Sequence, residues 1–349
     1  MIPVSKLQHP KEQVYFIIMA VVSVLLWLVI LSFIYFLDRF SPMAILASVM
    51  GMHPAYNEYE DFMMVFTIVS WAFNIGIILL IYYWYYLRYK ARLYGDAIKV
   101  NYNQFPELYT FIEFTSKKLG VETPECFILA DNQISGFAQR VFLKRYILLN
   151  STIVDAISKK GKDNEIKWLI AYHIGHHAAG HLNPLKSFLI GPAVIIPFLN
   201  KAYRRACVLT ADRIGTYITG DINDGKKALS LIALASIELR DEINYQAFRE
   251  QENEIPQIPA FINKLSSQFP RTTVRLIELD KFKVELEFLK QYEQFGNQNQ
   301  HLNAGNGSPV VAPPLFQPLS PQQIRFCHAC GVKNRAEDRY CAECGILSI

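Results

Sequence analysis

Two long apolar stretches constrain this chain more than any other feature. Val14 to Leu37 is almost wholly apolar, and Phe62 to Leu87 is interrupted only by Thr67, Ser70 and Asn74. Each exceeds the roughly 20 residues that a helix needs to cross the hydrocarbon core of a bilayer. The second ends in Tyr82, Tyr83, Trp84, Tyr85 and Tyr86, an aromatic belt suited to headgroup depth. The first is too long for the apolar core of a cleaved signal peptide and lacks a small-residue cleavage site. The balance of the whole chain agrees. Hydrophobic residues make up 51% and charged residues only 19%, against about a quarter charged in ordinary soluble domains.

Lysine and arginine placement predicts the orientation. Lys6 and Lys11 precede the first span, and Arg88, Lys90, Arg92 and Lys99 follow the second. The connecting loop carries Arg39 with Asp38, Glu58, Glu60 and Asp61. The positive-inside rule therefore puts both termini on the cytoplasmic side. The expected layout is a cytoplasmic segment 1–13, spans 14–37 and 62–87, an external loop 38–61, and a cytoplasmic bulk. The net charge of +4 is mild and dispersed, so no nucleic-acid partner is evident. Membrane and a protein or peptide are the expected partners.

Beyond the spans, periodicity predicts helices over 103–119, 153–158, 166–181, 203–219, 225–248 and 273–295. Short apolar runs at Cys126–Ala130 and Tyr146–Asn150 read as strands. Phe188 to Leu199 is apolar but too short to span, and Gly191, Pro192 and Pro197 break it. It reads as a re-entrant or interfacial segment, or as a buried turn. Residues 296–323 are rich in Asn, Gln, Gly, Ser and Pro and read as a disordered linker. The expected fold is mainly α with a small β-sheet over 88–295, on two N-terminal transmembrane helices.

After the linker, residues 324–349 carry two CxxC pairs, Cys327 with Cys330 and Cys341 with Cys344, each followed by glycine. That spacing lets both thiolates of a pair grip one ion, and the glycine allows a tight turn beneath the sulfurs. A C-terminal zinc ribbon with a structural Zn²⁺ is expected. So short a segment cannot bury enough surface to fold without the metal. Cys126 and Cys207 stand far from this group, and nothing suggests a secreted disulfide framework.

Histidines cluster at His173, His176, His177 and His181. Positions i and i+4 share a helix face, so Tyr172 lies over His176, His173 over His177, and His177 over His181. The run from Trp168 to His176 resembles the zinc-binding helix of the HtpX-like and CAAX-prenyl endopeptidase family of membrane zinc metallopeptidases. Phe105-Pro106-Glu107-Leu108-Tyr109 is similar to the family's "FPELY" segment, and Ile134 to Ala138 to its "INAFA" substrate edge. The likeness extends over about 100–279 and implies a gluzincin-like metallopeptidase domain, located in the bacterial inner membrane.

The same resemblance implies a degenerate site. Tyr172 stands at the first histidine ligand, His173 at the catalytic Glu, and His176 alone is retained. Val208 stands at the Glu ligand. Asp212, which supports the ligands from behind in the family, is kept, and Phe269 replaces an accessory histidine. A phenol binds zinc well only when ionised and valine has no donor, so one ligand is left where three are needed. Cys207 adjoins the missing Glu, but neighbouring helix residues diverge by about 100°, so it is not expected to replace it. The expected function is a non-catalytic pseudopeptidase that scaffolds, senses or regulates at the membrane. Ser135, Gly136, Phe137 and Ala138 would form a peptide-binding edge. Two alternatives stay open. A shifted register using His173, His177 and His181 would hold a second zinc and make an active metalloendopeptidase. An adaptor would work through the ribbon alone.

Overall fold

The apolar stretches form two long helices of the computed structural model, which describes residues 2–39, 56–130, 136–141, 143–158, 163–234, 236–303, 324–326 and 333–335. Helix α1 runs Pro10–Arg39 and α2 runs Tyr56–Asp96. Both are long and apolar enough to cross a membrane. The core helix of a soluble protein has the same composition, but it hides its side chains. Here Val21, Leu25, Leu28, Ile78, Leu80 and Ile81 are all exposed, which suits helices surrounded by lipid.

The first half of α1 is nonetheless part of the domain. Met19 is fully buried against Ile190, Ala193, Tyr203 and Cys207, with Tyr15, Phe16 and Val22 packed around them. Ser23 Oγ accepts a hydrogen bond of 3.1 Å from the Ala193 N–H. In the second apolar helix, Tyr86, Tyr89 and Leu93 pack on Phe127, Val141, Tyr146 and Leu148.

Strand β1 (Ile98–Lys99) leads to helix α3 (Pro106–Leu119). Pro106 opens α3, as expected for the 103–119 helix, because its missing N–H costs nothing in the first turn. Gly120, at φ 67°, ends it in the left-handed conformation. Strands β2 (Glu125–Leu129), β3 (Gly136–Val141) and β4 (Lys144–Asn150) complete a mixed sheet of order β1-β2-β4-β3. β2 and β4 are parallel, and the other two pairs are antiparallel. β4 is central and buried on both faces, which explains its unbroken Tyr-Ile-Leu-Leu run.

Helices α4 (Ser151–Ser158) and α5 (Asp163–Ala178) follow, then α6 (Pro184–Ile190), a 3₁₀ turn at Pro192–Ile195, and α7 (Pro197–Thr219). The segment expected over 188–199 is thus two helix ends joined by a turn, broken at its glycine and prolines. It lies beside α1, with the Trp27 and Phe188 rings 5.6 Å apart, while Phe188, Ile195 and Phe198 remain exposed.

Helix α5 packs along α7 at the centre of the domain. Trp168 of α5 is fully buried, and its Nε1–H donates to Thr216 Oγ1 at 2.9 Å. The next helix, α8 (Ile222–Leu234), approaches this indole closely because residue 225 is glycine. A β-carbon there would fall 2.7 Å from Trp168 Nε1. The single helix expected over 225–248 is three: α8, α9 (Ile237–Asp241) and α10 (Tyr245–Glu254). Ser236 and Asn244 cap the last two through their side chains, offering the backbone N–H groups an alternative to a continuous helix.

Helix α11 (Gln257–Ser266), absent from the sequence reading, follows, and then α12 (Thr272–Asn303). The backbone of α12 continues through Gly296 to Asn303, so the linker expected over 296–323 starts later; residues 304–323 lie outside the described residues.

The chain divides into compact units at Met1–Glu287 and Phe288–Ile349. In the second, β5 (Ile324–Phe326) and β6 (Lys333–Arg335) pair antiparallel, with Arg325 opposite Asn334. They bracket the first CxxC. Cys327, Cys330, Cys341 and Cys344 themselves lie outside the described residues.

Candidate functional site

The histidine-bearing face of α5 meets α7, α12, the start of α1 and strand β3. Tyr172, expected from the resemblance at the place of a first ligand, is packed among aromatic rings. Its ring stacks on Trp168 at 5.5 Å and meets the His173 and His176 rings edge-on, each at 5.0 Å. The Arg275 guanidinium lies 5.3 Å from the Tyr172 centroid and forks onto Asp212, with Nε–Oδ2 2.9 Å and an outer nitrogen 2.5 Å from Oδ1. Burial opposes the charge on Arg275, but the charge and hydrogen bonds of Asp212 more than offset it and raise its pKa. Burial pushes the Tyr172 phenol up to about 12 despite the nearby guanidinium. At neutral pH this phenol is therefore a neutral hydrogen-bonding group and a poor zinc ligand. Val208 is buried in the same packing.

His173 is buried, and neither ring nitrogen has a hydrogen-bond partner. Burial, followed by the charges of His177 and Arg275, holds its pKa down at about 3. His177 places Nε2 3.1 Å from the Tyr146 carbonyl, so that nitrogen donates to the backbone of β4. Burial lowers it to about 4. His177 thus holds helix to sheet, and the shifted set His173, His177 and His181 is not gathered around a point. Phe269, at the accessory position, is 58% exposed at the surface.

His176 and His181 turn a different way. Their Nδ1 atoms are 2.9 Å apart, one donating and the other accepting. Burial first, and then the charge of His181, keeps His176 well below the ordinary imidazole range. His181 in turn sets Nε2 3.2 Å from Glu12 Oε2. Thr210 Oγ1 donates to that oxygen at 2.5 Å and accepts from the His9 N–H at 2.9 Å. Cys207 completes the group. Donor atoms of Glu12, His181 and Cys207 all lie within 4.8 Å of one another, and Cys207 also shares a hydrogen bond with the Tyr203 hydroxyl. Burial pushes the Cys207 thiol up, so it is a neutral thiol unless a cation replaces its proton. This buried Glu/His/Cys group could hold a metal ion.

Among the described residues it is the one group of metal-ligating type. Two of its members escaped the sequence reading. Glu12 is separated from Cys207 by nearly the whole domain, and no local motif in the sequence points to it. Cys207 was dismissed because it diverges from Val208. It does diverge, and it faces α1, beside Glu12 and Met19.

The fourth feature is the sheet edge. Gly136, Phe137 and Ala138 lie on β3, at the end of the sheet, while Ser135 lies outside the described residues. Beyond β4, β3 has no strand neighbour among the described residues. It runs close over α5. A β-carbon at Gly136 would sit 2.8 Å from the Leu148 carbonyl oxygen and 2.9 Å from His173 Nε2. No protein-family model and no curated protein matches the chain.

Proposed function

We propose that this chain is a membrane-anchored homologue of the metallopeptidases it resembles, catalytically inactive, which holds extended peptide segments along β3 as a scaffold, sensor or regulator. The observation that carries this reading is the Tyr172–Arg275–Asp212 arrangement. The position that should offer a ligand to zinc holds a neutral phenol locked by a guanidinium, and the position opposite holds valine. The family's zinc therefore does not fit these residues, and no hydrolytic step is derived through it. His173, at the position of the base, meets no hydrogen-bonding group that could orient a water.

The edge of β3 supports the binding half of the reading. An unpaired strand edge offers a row of N–H and C=O groups to an added strand. The proposed setting is a bacterial inner membrane with the domain on the cytoplasmic side, as the lysine and arginine placement predicts. The ribbon, with structural zinc on Cys327, Cys330, Cys341 and Cys344, is a separate element of the proposal.

The test uses the full chain in detergent micelles with an unfolded membrane-protein substrate and with labelled apolar peptides. The expected outcome is peptide binding without cleavage, weakened by substitution at Phe137 or Ala138. Cleavage that a chelator stops, and that His173→Ala or His177→Ala abolishes, would establish the enzyme instead. Binding that survives changes in β3 and is lost in Cys341→Ser would establish a ribbon adaptor.

A further inference from the structure

We propose that Glu12, His181 and Cys207 form a site for a zinc-class divalent cation that clasps the first apolar helix to the domain. This site is separate from the peptidase-like position and does not depend on the pseudopeptidase reading. Its three ligands come from three places in the fold: the first turn of α1, the turn after α5, and the middle of α7.

The geometry suits such an ion. With metal–nitrogen and metal–oxygen bonds of about 2.0–2.1 Å and a metal–sulfur bond of about 2.3 Å, tetrahedral ligand atoms stand about 3.3–3.6 Å apart. The His181–Glu12 pair is at 3.2 Å, and all pairs are within 4.8 Å. Side-chain rotation of about 1 Å therefore closes the triangle. One thiolate, one imidazole and one carboxylate make a borderline donor set, which favours Zn²⁺ or Co²⁺ over Mg²⁺ or Ca²⁺.

An independent observation points into the same space. The His181 side chain is only 4% exposed, yet its Nε2 makes no hydrogen bond. Its near neighbour is Glu12 Oε2, at 3.2 Å, a spacing that two ligands of one cation also adopt. The other nitrogen of the ring is already engaged with His176. An imidazole that binds metal through Nε2 carries its proton on Nδ1, and His176 Nδ1 is placed to accept it, which fixes the tautomer and the ring plane. Thr210 orients the Glu12 carboxylate in the corresponding way. The side chain of Glu12 is 3% exposed. A buried carboxylate requires a compensating charge, and a divalent cation also accounts for the thiol beside it.

The consequence is mechanical. Bound metal would tie the first turn of α1 to α5 and α7, ahead of the Met19 and Ser23 contacts, and its loss would loosen that end of α1. The experiment uses the full chain in detergent with Cys327, Cys330, Cys341 and Cys344 all changed to serine, leaving Cys126 and Cys207 as the remaining thiols. Titration with Zn²⁺ and Co²⁺ is expected to give one ion per chain and a sulfur-to-cobalt charge-transfer band. Hundredfold excess over the dissociation constant should raise Tm by about 5–10 °C. Cys207→Ser should abolish the band, and His181→Ala and Glu12→Gln should weaken binding at least tenfold, while His173→Ala retains it. The cobalt spectrum and Tm shift of the parent need no further variant, so misfolding of Cys207→Ser leaves the test intact. No ion and no Tm shift would show that Glu12 and His181 are a simple ion pair and would overturn the proposal. An ion lost with His173 but kept without Cys207 would overturn it too, in favour of a rebuilt peptidase site.

Discussion

Arg275→Met isolates the buried ion pair that backs Tyr172 in the histidine cluster. The Arg275 and Asp212 side chains are 11% and 2% exposed and share two hydrogen bonds, at 2.9 and 2.5 Å. Removing the guanidinium leaves the carboxylate buried with no cation. Breaking one side of a buried ion pair costs about 3–5 kcal/mol. At about 2–4 °C per kcal/mol for a domain of this class, Tm should fall by about 6–20 °C. Replacing both partners, with Arg275→Met and Asp212→Leu together, removes the stranded charge and should recover most of that loss, because paired charges give back in attraction little more than they lose in desolvation. The assay is thermal unfolding of the four purified proteins of the cycle in one detergent, followed by tryptophan fluorescence, with coupling taken as the departure from additivity. A drop below about 2 °C in Arg275→Met, or a double variant worse than the sum of the singles, would refute the view of this pair as an interior lock on Tyr172.

Three further outcomes are expected. Gly136→Ala meets both a backbone φ of 142° and contacts of 2.8 and 2.9 Å, so it should cost about 2–5 kcal/mol and weaken peptide binding at β3; an unchanged Tm would refute the close approach of β3 to α5. His177, lowered to about 4 from 6.5, is neutral in the folded protein where an unfolded histidine takes up a proton. Its contribution is fully present above pH ~6.5 and is lost as pH falls toward ~4, by about 3 kcal/mol at most. His177→Gln should flatten stability against pH over that window by about one proton, and an unaltered slope in chemical denaturation would contradict it. Arg240→Met removes the partner of buried Glu165, which Arg240 meets at 2.7 Å, and should lower stability by about 3–5 kcal/mol in the same thermal assay.

The features legible in the sequence were those written locally. Apolar length marked α1 and α2, an unbroken apolar run marked β4, and the i, i+4 spacing of the histidines marked α5. Elements whose ends depend on single side chains were less so. The caps at Ser236 and Asn244 broke one expected helix into three, because a short polar side chain competes with the helical bond only where the surrounding packing lets the chain turn. Helix α11 does carry a helical period in Ile258, Phe261, Ile262 and Leu265, which the expected layout passed over between two prolines; Ile258, Phe261 and Ile262 remain exposed.

The candidate site divides in the same way. That Tyr172 and Val208 cannot serve as zinc ligands follows from residue chemistry, and the sequence determined it without help. Two helices long and apolar enough to cross a membrane were likewise legible from composition along the chain. The meeting of Glu12 with His181 and Cys207 was decided only by tertiary structure. It requires α1 to dock through Met19 and Ser23, so that residues 12 and 207 share a pocket. A helix period shows which residues lie on one face, but not which distant element that face will meet. Here the packing of α1 against α7 settled that, and with it which of the four clustered histidines has a ligand set to join.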